Sequence, residues 1–297
     1  MGRQAGGDAQ LIRAFRQLRE LLEMIKFQHS LFALPFAVTA MLVAAGGLPS
    51  ARVVGLILAC MICARTAAMT WNRIVDLRFD AANPRTAARA LPAGRVPAWA
   101  AWLLLLASIA GFLVSAVAIN ALTAILAPVA LAVILSYSLA KRFTAATHFL
   151  LGLSLAIAPI GAWIAVRGTL DPPVLLLGLV VLLWTAGFDL LYSCQDVEFD
   201  RNADLHSIPA RFGVRAALVV ARACHVLALV ALVGFGLAAE RGPAYFAAIV
   251  VSATLLAWSH SIVTPRDLSR VGIAFFQANV GVAGVVMAGT LIDVFWH

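Results

Sequence analysis

Half of the acidic residues in this 297-residue chain fall in two short segments, and their spacing suits metal chemistry. The seven are Asp76 and Asp80 in the first segment and Asp189, Asp196, Glu198, Asp200 and Asp204 in the second. In each segment two aspartates stand four residues apart, so a helix would place them on one face. Like charges at that spacing repel each other, and two facing pairs therefore need cations between them.

Magnesium is the cation that this pattern favours. It takes oxygen ligands and usually joins one or two carboxylates to the phosphate oxygens of a substrate. Asn72 continues the first pair by one more step, because it precedes Asp76 by four residues. The spacing thus predicts a diphosphate clamped through magnesium. The alternative is two solvated polar loops without a ligand.

Three basic side chains near these segments could hold phosphate oxygens. Lys141 follows Tyr137 by four residues, which places both on one helix face. Arg85 and Arg89 follow the first acidic segment. Each alone is more typical of an interfacial anchor, but together with the aspartates they predict a phosphate site. Arg85 or Arg89 is also predicted to bind a carboxylate group of a substrate, because arginine forms bidentate bonds to such groups.

The elements that must position these side chains are transmembrane helices. The chain is 63% hydrophobic and 12% charged, whereas a soluble domain carries about 25% charged residues. Its apolar runs lack the alternation of a β-barrel, so their backbone must satisfy its own hydrogen bonds in helices. We predict an all-α polytopic membrane protein with nine transmembrane helices around a central cavity that opens to the cytoplasmic side.

The predicted spans are the runs long enough to cross a bilayer, which takes about 20 apolar residues. They are residues 27–47, 53–71, 97–117, 121–139, 147–166, 173–193, 215–238, 243–263 and 272–293. Asn120 marks a hairpin, since the uncharged stretch from Val96 to Ala140 is too long for one span. Residues 1–26 are predicted to form a cytoplasmic tail, and residues 27–297 a single transmembrane domain.

Basic residues set the expected orientation. With a cytoplasmic N-terminus, the inner segments hold seventeen Lys and Arg and the outer loops hold three. Both acidic segments then face the cytoplasm, and His297 lies outside. The net charge of +8 arises from these loops rather than from a nucleic-acid footprint. We therefore expect an integral protein of the inner (plasma) membrane with no nucleic-acid partner.

Nearly the whole chain resembles the UbiA superfamily of intramembrane prenyltransferases. Three motifs carry the resemblance, in the family's order along the chain. They are Asn72, Asp76 and Asp80 in NxxxDxxxD, Tyr137 and Lys141 in YxxxK, and Asp196 and Asp200 in DxxxD. The chain departs from the family pattern at Arg73, where many members have Asp, and at His206, where many have Lys.

The resemblance implies an enzyme that transfers a polyprenyl chain from its diphosphate to an aromatic acceptor, with Mg²⁺ as cofactor and with the tail in the lipid bilayer. The catalytic set that it implies is Asp76, Asp80, Asp196, Asp200 and Lys141. The metal ligands would be Asn72 and the same four aspartates. The candidates for binding the diphosphate are Asn72, Arg73, Arg85 and Lys141. The candidates for orienting the acceptor or stabilising an allylic cation are Tyr137, Asp189, Tyr192 and Arg89. Tyr192 is equally typical of a structural tyrosine.

The sequence leaves the identity of the acceptor open. Residues 84–94 resemble the loop that follows the first motif in 4-hydroxybenzoate polyprenyltransferases. The segments 192–200 and 205–213 resemble the branch that includes the futalosine-route menaquinone prenyltransferase, whose members are often labelled 4-hydroxybenzoate enzymes. We expect a dihydroxynaphthoate or 4-hydroxybenzoate acceptor in quinone biosynthesis, with homogentisate and a haem or chlorophyll precursor as alternatives. A secondary transporter is a further alternative, although transporters tend to place acids near the midplane in repeated halves.

Overall fold

A computed structural model of the chain describes residue 20 and residues 32–296. In chain order its helices are α1 (Leu34–Ala45), α2 (Ala51–Val75), α3 (Leu77–Ala82), α4 (Ala98–Ile119), α5 (Ala121–Ala140), α6 (Thr147–Arg167), α7 (Pro172–Ser193), α8 (Val197–Asn202), α9 (Ile208–Phe212), α10 (Val214–Ala238), α11 (Pro243–Ser261), α12 (Val271–Ile273) and α13 (Asn279–Trp296). A 3₁₀ turn, Cys194–Asp196, joins α7 to α8, and a π-helical turn, Ala274–Ala278, joins α12 to α13.

Within the described residues, eight helical segments are long and apolar enough to cross a membrane. They are α2, α4, α5, α6, α7 with α8, α10, α11, and α12 with α13. The predicted all-α polytopic membrane fold is therefore confirmed. Of the first predicted span, 27–47, the structure describes α1, which has 12 residues. Residues 27–31 and the predicted tail, except Glu20, lie outside the described residues, so the count of nine spans stays a prediction.

The hairpin predicted at Asn120 is confirmed, and one side chain explains it. The Asn120 Oδ1 accepts a hydrogen bond of 2.8 Å from the Thr123 backbone N–H and so caps the start of α5. Its Nδ2 donates a bond of 2.8 Å to the Ile164 carbonyl, which ties the turn to the end of α6. The Asn120 side chain thereby provides hydrogen bonds for backbone groups at a hairpin without charged residues.

Helix α7 lies at the centre of the packing, between α6 and α10. Gly152 of α6 lies so close to the Leu182 backbone that a Cβ at this position would collide with the Leu182 carbonyl. Such close approach is typical of membrane helices, which pack through small residues. On another side of α7, Trp184 is buried against Phe36 of α1, with ring centroids 5.0 Å apart. A second group of helices, α2, α4 and α5, packs together beside α6.

Consecutive long helices run in alternating directions, and this brings distant parts of the chain to one end of the bundle. The C-terminal ends of α2, α5 and α7 meet there with the start of α6. The 15 residues between α3 and α4, 83–97, form a loop of turns whose Ala90, Leu91 and Val96 are buried. Both acidic segments and Lys141 therefore lie at the same end.

Candidate active site

The first acidic segment lies where α2 ends. The helix predicted to carry Asn72, Asp76 and Asp80 on one face is not continuous, because Asp76 ends α2 with φ −92° and ψ 6° and α3 begins at Leu77. The backbone bonds Asp76 N–H to Asn72 O (3.0 Å) and Asp80 N–H to Asp76 O (2.7 Å) still bridge the break. Asn72 Nδ2 donates to Asp76 Oδ2 over 2.9 Å. The segment thus keeps its three polar side chains in order around a bend.

Asp80 is buried and is held by two arginines. Arg89 Nη1 lies 2.6 Å from Asp80 Oδ1, and Arg73 Nη1 lies 3.3 Å from Asp80 Oδ2. Arg73, which the sequence assigned to the diphosphate, is only 6% exposed. Two cations offset the cost of burying this carboxylate.

The second acidic segment also bends at its first aspartate. Asp196 closes the 3₁₀ turn, and Asp200 lies in α8 and is buried. Asp200 Oδ2 accepts a bond of 2.9 Å from Ser207 Oγ, and the Lys141 Nζ lies 3.3 Å from the same oxygen. The sequence-predicted pair of Lys141 and the second motif is therefore brought together.

Arg85 links the two acidic segments. Its Nε and Nη2 donate to the two Asp196 oxygens over 3.1 and 2.8 Å, which is a bidentate pair. Its Nη1 lies 3.5 Å from the Tyr192 hydroxyl, and the guanidinium carbon lies 5.9 Å from the Tyr192 ring centroid. The loop after the first motif thus crosses to the second motif.

A second link comes from Arg142, which was not among the site residues predicted from the sequence. Its Nη2 donates to the Val75 carbonyl over 2.6 Å and lies 3.3 Å from Asp76 Oδ1. Because Arg142 follows Lys141, two consecutive residues contact both motifs. Burial raises the pKa of the Asp76 carboxyl above its usual range, and the hydrogen bond from Arg142 opposes this shift.

The donor set of this site fits magnesium. Its uncharged and anionic donors are amide and carboxylate oxygens, which hard divalent cations prefer. The part of the chain that the structure describes holds no cluster of three or more His, Cys, Asp or Glu side chains ready to ligate a metal. The carboxylate and amide oxygens of the two acidic segments fit Mg²⁺, which commonly takes few protein ligands and completes its shell with water and phosphate.

An apolar cavity of about 420 Å³ runs along the bundle between α2, α5 and α6. Near the acidic segments it is lined by Ala68 and Tyr137, and towards the other end by Ile57 and Ile164. The rise from Ile57 to Ala68 corresponds to about 16 Å of helix. Among the described residues that line it, only Arg65 is charged. Tyr137, a sequence-predicted acceptor residue, therefore lies in the wall of this cavity.

Part of the cavity wall lies on the outer surface of the bundle. Leu58, Ile62 and Val129 line the cavity and are exposed, with relative exposures of 39%, 53% and 61%. Exposed apolar side chains on transmembrane helices face lipid. The cavity therefore has a side from which an apolar chain can enter from the bilayer.

Arg65 is a charged group that sequence reasoning missed as a site residue. It precedes Asn72 by seven residues on α2, so it lies on nearly the same face, about 10 Å deeper. Its Nε is buried without a hydrogen-bond partner among the described residues. A cation inside a membrane segment is costly and marks a functional position. In the sequence, Arg65 is a single charged residue within the second predicted span, 53–71.

Asp189 and Tyr192 lie near the C-terminal end of α7, just before the 3₁₀ turn that carries Asp196. Asp189 Oδ2 lies 2.6 Å from the Nδ1 of His148, a fully buried residue at the start of α6. The Tyr192 ring packs against Phe275 of the π-helical turn, with centroids 4.6 Å apart. Isolated π-turns are frequent at functional sites. Neither partner could be identified from the sequence, because both contacts join distant segments.

Comparisons with known proteins agree with this geometry. The model of the UbiA prenyltransferase family matches residues 33–280. A 4-hydroxybenzoate octaprenyltransferase of Vibrio cholerae is 31% identical over 277 residues, which is 93% of this chain and 96% of the relative. The corresponding enzyme of Vibrio parahaemolyticus is 29% identical over 278 residues, 93% of this chain and 96% of the relative.

Solved structures show the same fold. The apo structure of a UbiA homologue from Aeropyrum pernix K1 has a TM-score of 0.82 and 32% identity, covering 90% of this chain and 98% of its own. A UbiA homologue from Archaeoglobus fulgidus bound to GPP and Mg²⁺ has a TM-score of 0.67 and 20% identity, covering 90% of this chain and 99% of its own. The chain therefore belongs to the UbiA prenyltransferase family and is a polytopic membrane prenyltransferase.

Proposed function

We propose that this protein transfers a polyprenyl group from its magnesium diphosphate to a ring carbon of an aromatic carboxylate that carries a hydroxyl group. The observation that carries the proposal is the arrangement of the site. Two acidic motifs, joined by Arg85, lie at the end of an apolar cavity that suits an isoprenoid tail. A diphosphate head and a hydrocarbon tail need these two environments side by side.

The diphosphate head is assigned to the acidic end. The residues that would hold magnesium are Asn72, Asp76, Asp80, Asp196 and Asp200. Magnesium, when bound, neutralises charge on the diphosphate and so favours its departure as a leaving group. Arg85 and Lys141 bind the diphosphate oxygens, because their side chains are 41% and 35% exposed and can exchange a carboxylate partner for phosphate. Arg73 is buried, and we assign it to holding Asp80 in place.

The tail is assigned to the cavity between α2, α5 and α6. Its apolar lining keeps water from the allylic carbon as the C–O bond weakens, and hydrolysis is thereby suppressed. The loop that carries Arg85 covers the site from the polar side. Tyr192 presents its ring beside Arg85 and Phe275, where a π face can stabilise developing positive charge.

The acceptor carboxylate is assigned to Arg65. The sequence suggested Arg85 and Arg89 for this role, but Arg85 is assigned to the diphosphate and Arg89 is paired with the buried carboxylate of Asp80. Arg65 has no such partner among the described residues, and it lies two turns below Asn72. Asp189 is assigned to the hydroxyl group of the acceptor, whose proton it accepts to make the ring more nucleophilic.

The experiment is a transfer assay with purified protein, Mg²⁺ and a radiolabelled prenyl diphosphate. We expect Asp76→Ala and Asp196→Ala each to lower turnover by about 10³-fold, because each removes stabilisation of the leaving group. Asp267→Ala is the matched control, since Asp267 lies in an exposed loop and bonds only within it. Wild-type turnover in both motif variants would remove the magnesium-clamp assignment.

The acceptor is identified by a panel in the same assay. The two principal compounds are 4-hydroxybenzoate, which the names of the relatives favour, and 1,4-dihydroxy-6-naphthoate, which segments 192–200 and 205–213 favour. Homogentisate is included because it also carries a carboxylate. Prenylation of one compound with kcat/KM well above the others assigns the acceptor. Prenylation of none of them contradicts the proposal.

A further inference from the structure

His148 is a buried histidine whose hydrogen bonds determine its tautomer. The Ile208 backbone N–H donates to His148 Nε2 over 3.4 Å. A ring nitrogen that accepts an N–H carries no proton of its own, so the proton of the neutral ring lies on Nδ1. His148 therefore donates Nδ1–H to Asp189 Oδ2, 2.6 Å away, and Asp189 accepts as a carboxylate. The tautomer is assigned from these partners.

The contact leaves one oxygen of Asp189 available. Its Oδ1 has no hydrogen-bond partner among the described residues, and the side chain is 23% exposed while His148 is fully buried. Asp189 lies in the last turns of α7, deeper in the bundle than Asp196 in the 3₁₀ turn that follows. One oxygen is thus fixed to α6, and the other can accept a further hydrogen bond.

We propose that His148 is a positioning residue that holds Asp189 in the orientation needed to accept the hydroxyl proton of the aromatic acceptor. This inference rests on the proposed function and names a residue that acts through Asp189. The acceptor O–H bond breaks and its proton passes to Asp189 Oδ1. The ring carbon forms the new C–C bond as the allylic C–O bond breaks, and that electron pair leaves with the diphosphate. The ring C–H proton then passes to the diphosphate, and Asp189 returns its proton to the acceptor oxygen.

The same imidazole also joins Asp189 to the diphosphate end. Ile208 follows Ser207, whose hydroxyl donates to Asp200, and His206, whose backbone N–H donates to the Lys141 carbonyl over 2.6 Å. Two functions of His148 can therefore be separated, one through Nδ1 to Asp189 and one through Nε2 to this loop. Two substitutions of His148 separate these two functions.

The test compares His148→Asn with His148→Gln. The Asn amide reaches the place of Nδ1 and restores a donor to Asp189, whereas the Gln amide reaches the place of Nε2 and restores only the contact with Ile208. We expect His148→Gln and His148→Ala to lower kcat for prenyl transfer by about 100-fold, the effect of a misplaced catalytic group. We expect His148→Asn to recover most of that loss.

The second readout is hydrolysis of dimethylallyl diphosphate without an acceptor. His148→Gln should keep the wild-type rate and donor KM, because it retains the contact with Ile208 and loses only the positioning of Asp189. His260→Asn is the control for loss of a histidine elsewhere, and the double variant His148→Ala with Asp189→Asn should be no worse than Asp189→Asn alone. Rescue by Gln rather than Asn, or equal loss of hydrolysis and transfer in His148→Gln, overturns the inference.

The assay also separates this inference from the proposed function. If the wild-type protein transfers a prenyl group to 4-hydroxybenzoate, 1,4-dihydroxy-6-naphthoate or homogentisate, a wrong order of the His148 variants overturns the positioning role alone. If it transfers to none of the three compounds in the acceptor panel, homogentisate included, both proposals fall together.

Discussion

At the scale of single residues, the site is organised by charge pairing. Asp80 and Asp200 are buried almost completely, and each is held by basic side chains within 3.3 Å. Asp76 and Asp196 are more exposed and are each held by one arginine. In these two pairs the arginines, Arg85 and Arg142, are 41% and 31% exposed, so a magnesium diphosphate can rearrange them at lower cost than the more buried pairs.

Arg65 provides a prediction at this scale. Arg65→Ala is expected to raise the acceptor KM about 100-fold, because a charge-assisted bidentate bond is worth about 1.5–3 kcal/mol. Steady-state kinetics with each substrate varied in turn measure this effect. Arg52→Ala is the matched control, since Arg52 lies at the other end of α2 and donates to the Ala118 carbonyl. A rise in the donor KM with an unchanged acceptor KM contradicts the assignment.

Sequence spacing identified the motif residues but not their partners. Asp76, Asp196 and Lys141 each belong to a motif with four-residue spacing within one segment, and such spacing can be read from a sequence. The partner contacts join residues far apart, such as Arg142 with Asp76, 66 positions away, and His148 with Asp189, 41 positions away. Such contacts depend on how helices pack, so no pattern within one segment predicts them.

At the scale of helices, the boundaries followed closely from the sequence. The transfer of apolar residues into lipid decides where a span begins and ends. The predicted span 121–139 begins at the same residue as α5, Ala121–Ala140, and ends one residue earlier. The bends at Asp76 and Asp196 were not predicted. Each arises where a helix leaves the apolar layer and its polar side chains bind partners from other segments, which periodicity alone does not reveal.

Helix contact provides a prediction at this scale. Gly152→Ala places a Cβ against the Leu182 carbonyl and should separate α6 from α7, with a loss of about 1–3 kcal/mol in the free energy of unfolding, as for other overpacked sites. Gly161→Ala is the control, because a Cβ at that position of α6 meets nothing within 4 Å. Thermal unfolding in detergent measures the difference. Equal midpoints for the two variants would argue against tight packing at Gly152.

At the scale of the whole molecule, one end is polar and the cavity extends away from it through the bilayer layer. Gly161 lines this cavity 14 residues from the start of α6, or about 21 Å along the helix axis. A long isoprenoid must pass this position, whereas a single isoprene unit lies near the diphosphate. Cavity length should therefore select the chain length of the donor.

Gly161→Phe tests that relation. We expect the variant to use dimethylallyl diphosphate at close to the wild-type rate and to lose turnover of octaprenyl diphosphate by about tenfold or more, because the phenyl ring fills the passage. Gly55→Phe is the control, since Gly55 is exposed and a Cβ there meets nothing within 4 Å. Parallel loss with both donors would mean that the tail does not lie in this cavity.

The exposed side of the cavity determines in which units the concentration of each substrate is expressed. A polyprenyl donor that enters past Leu58, Ile62 and Val129 arrives by two-dimensional diffusion, so its effective concentration is its mole fraction among the surrounding lipids. The small acceptor arrives from water and is counted in bulk molarity. Added inert phospholipid therefore slows the enzyme by surface dilution of one substrate, while added buffer dilutes only the other.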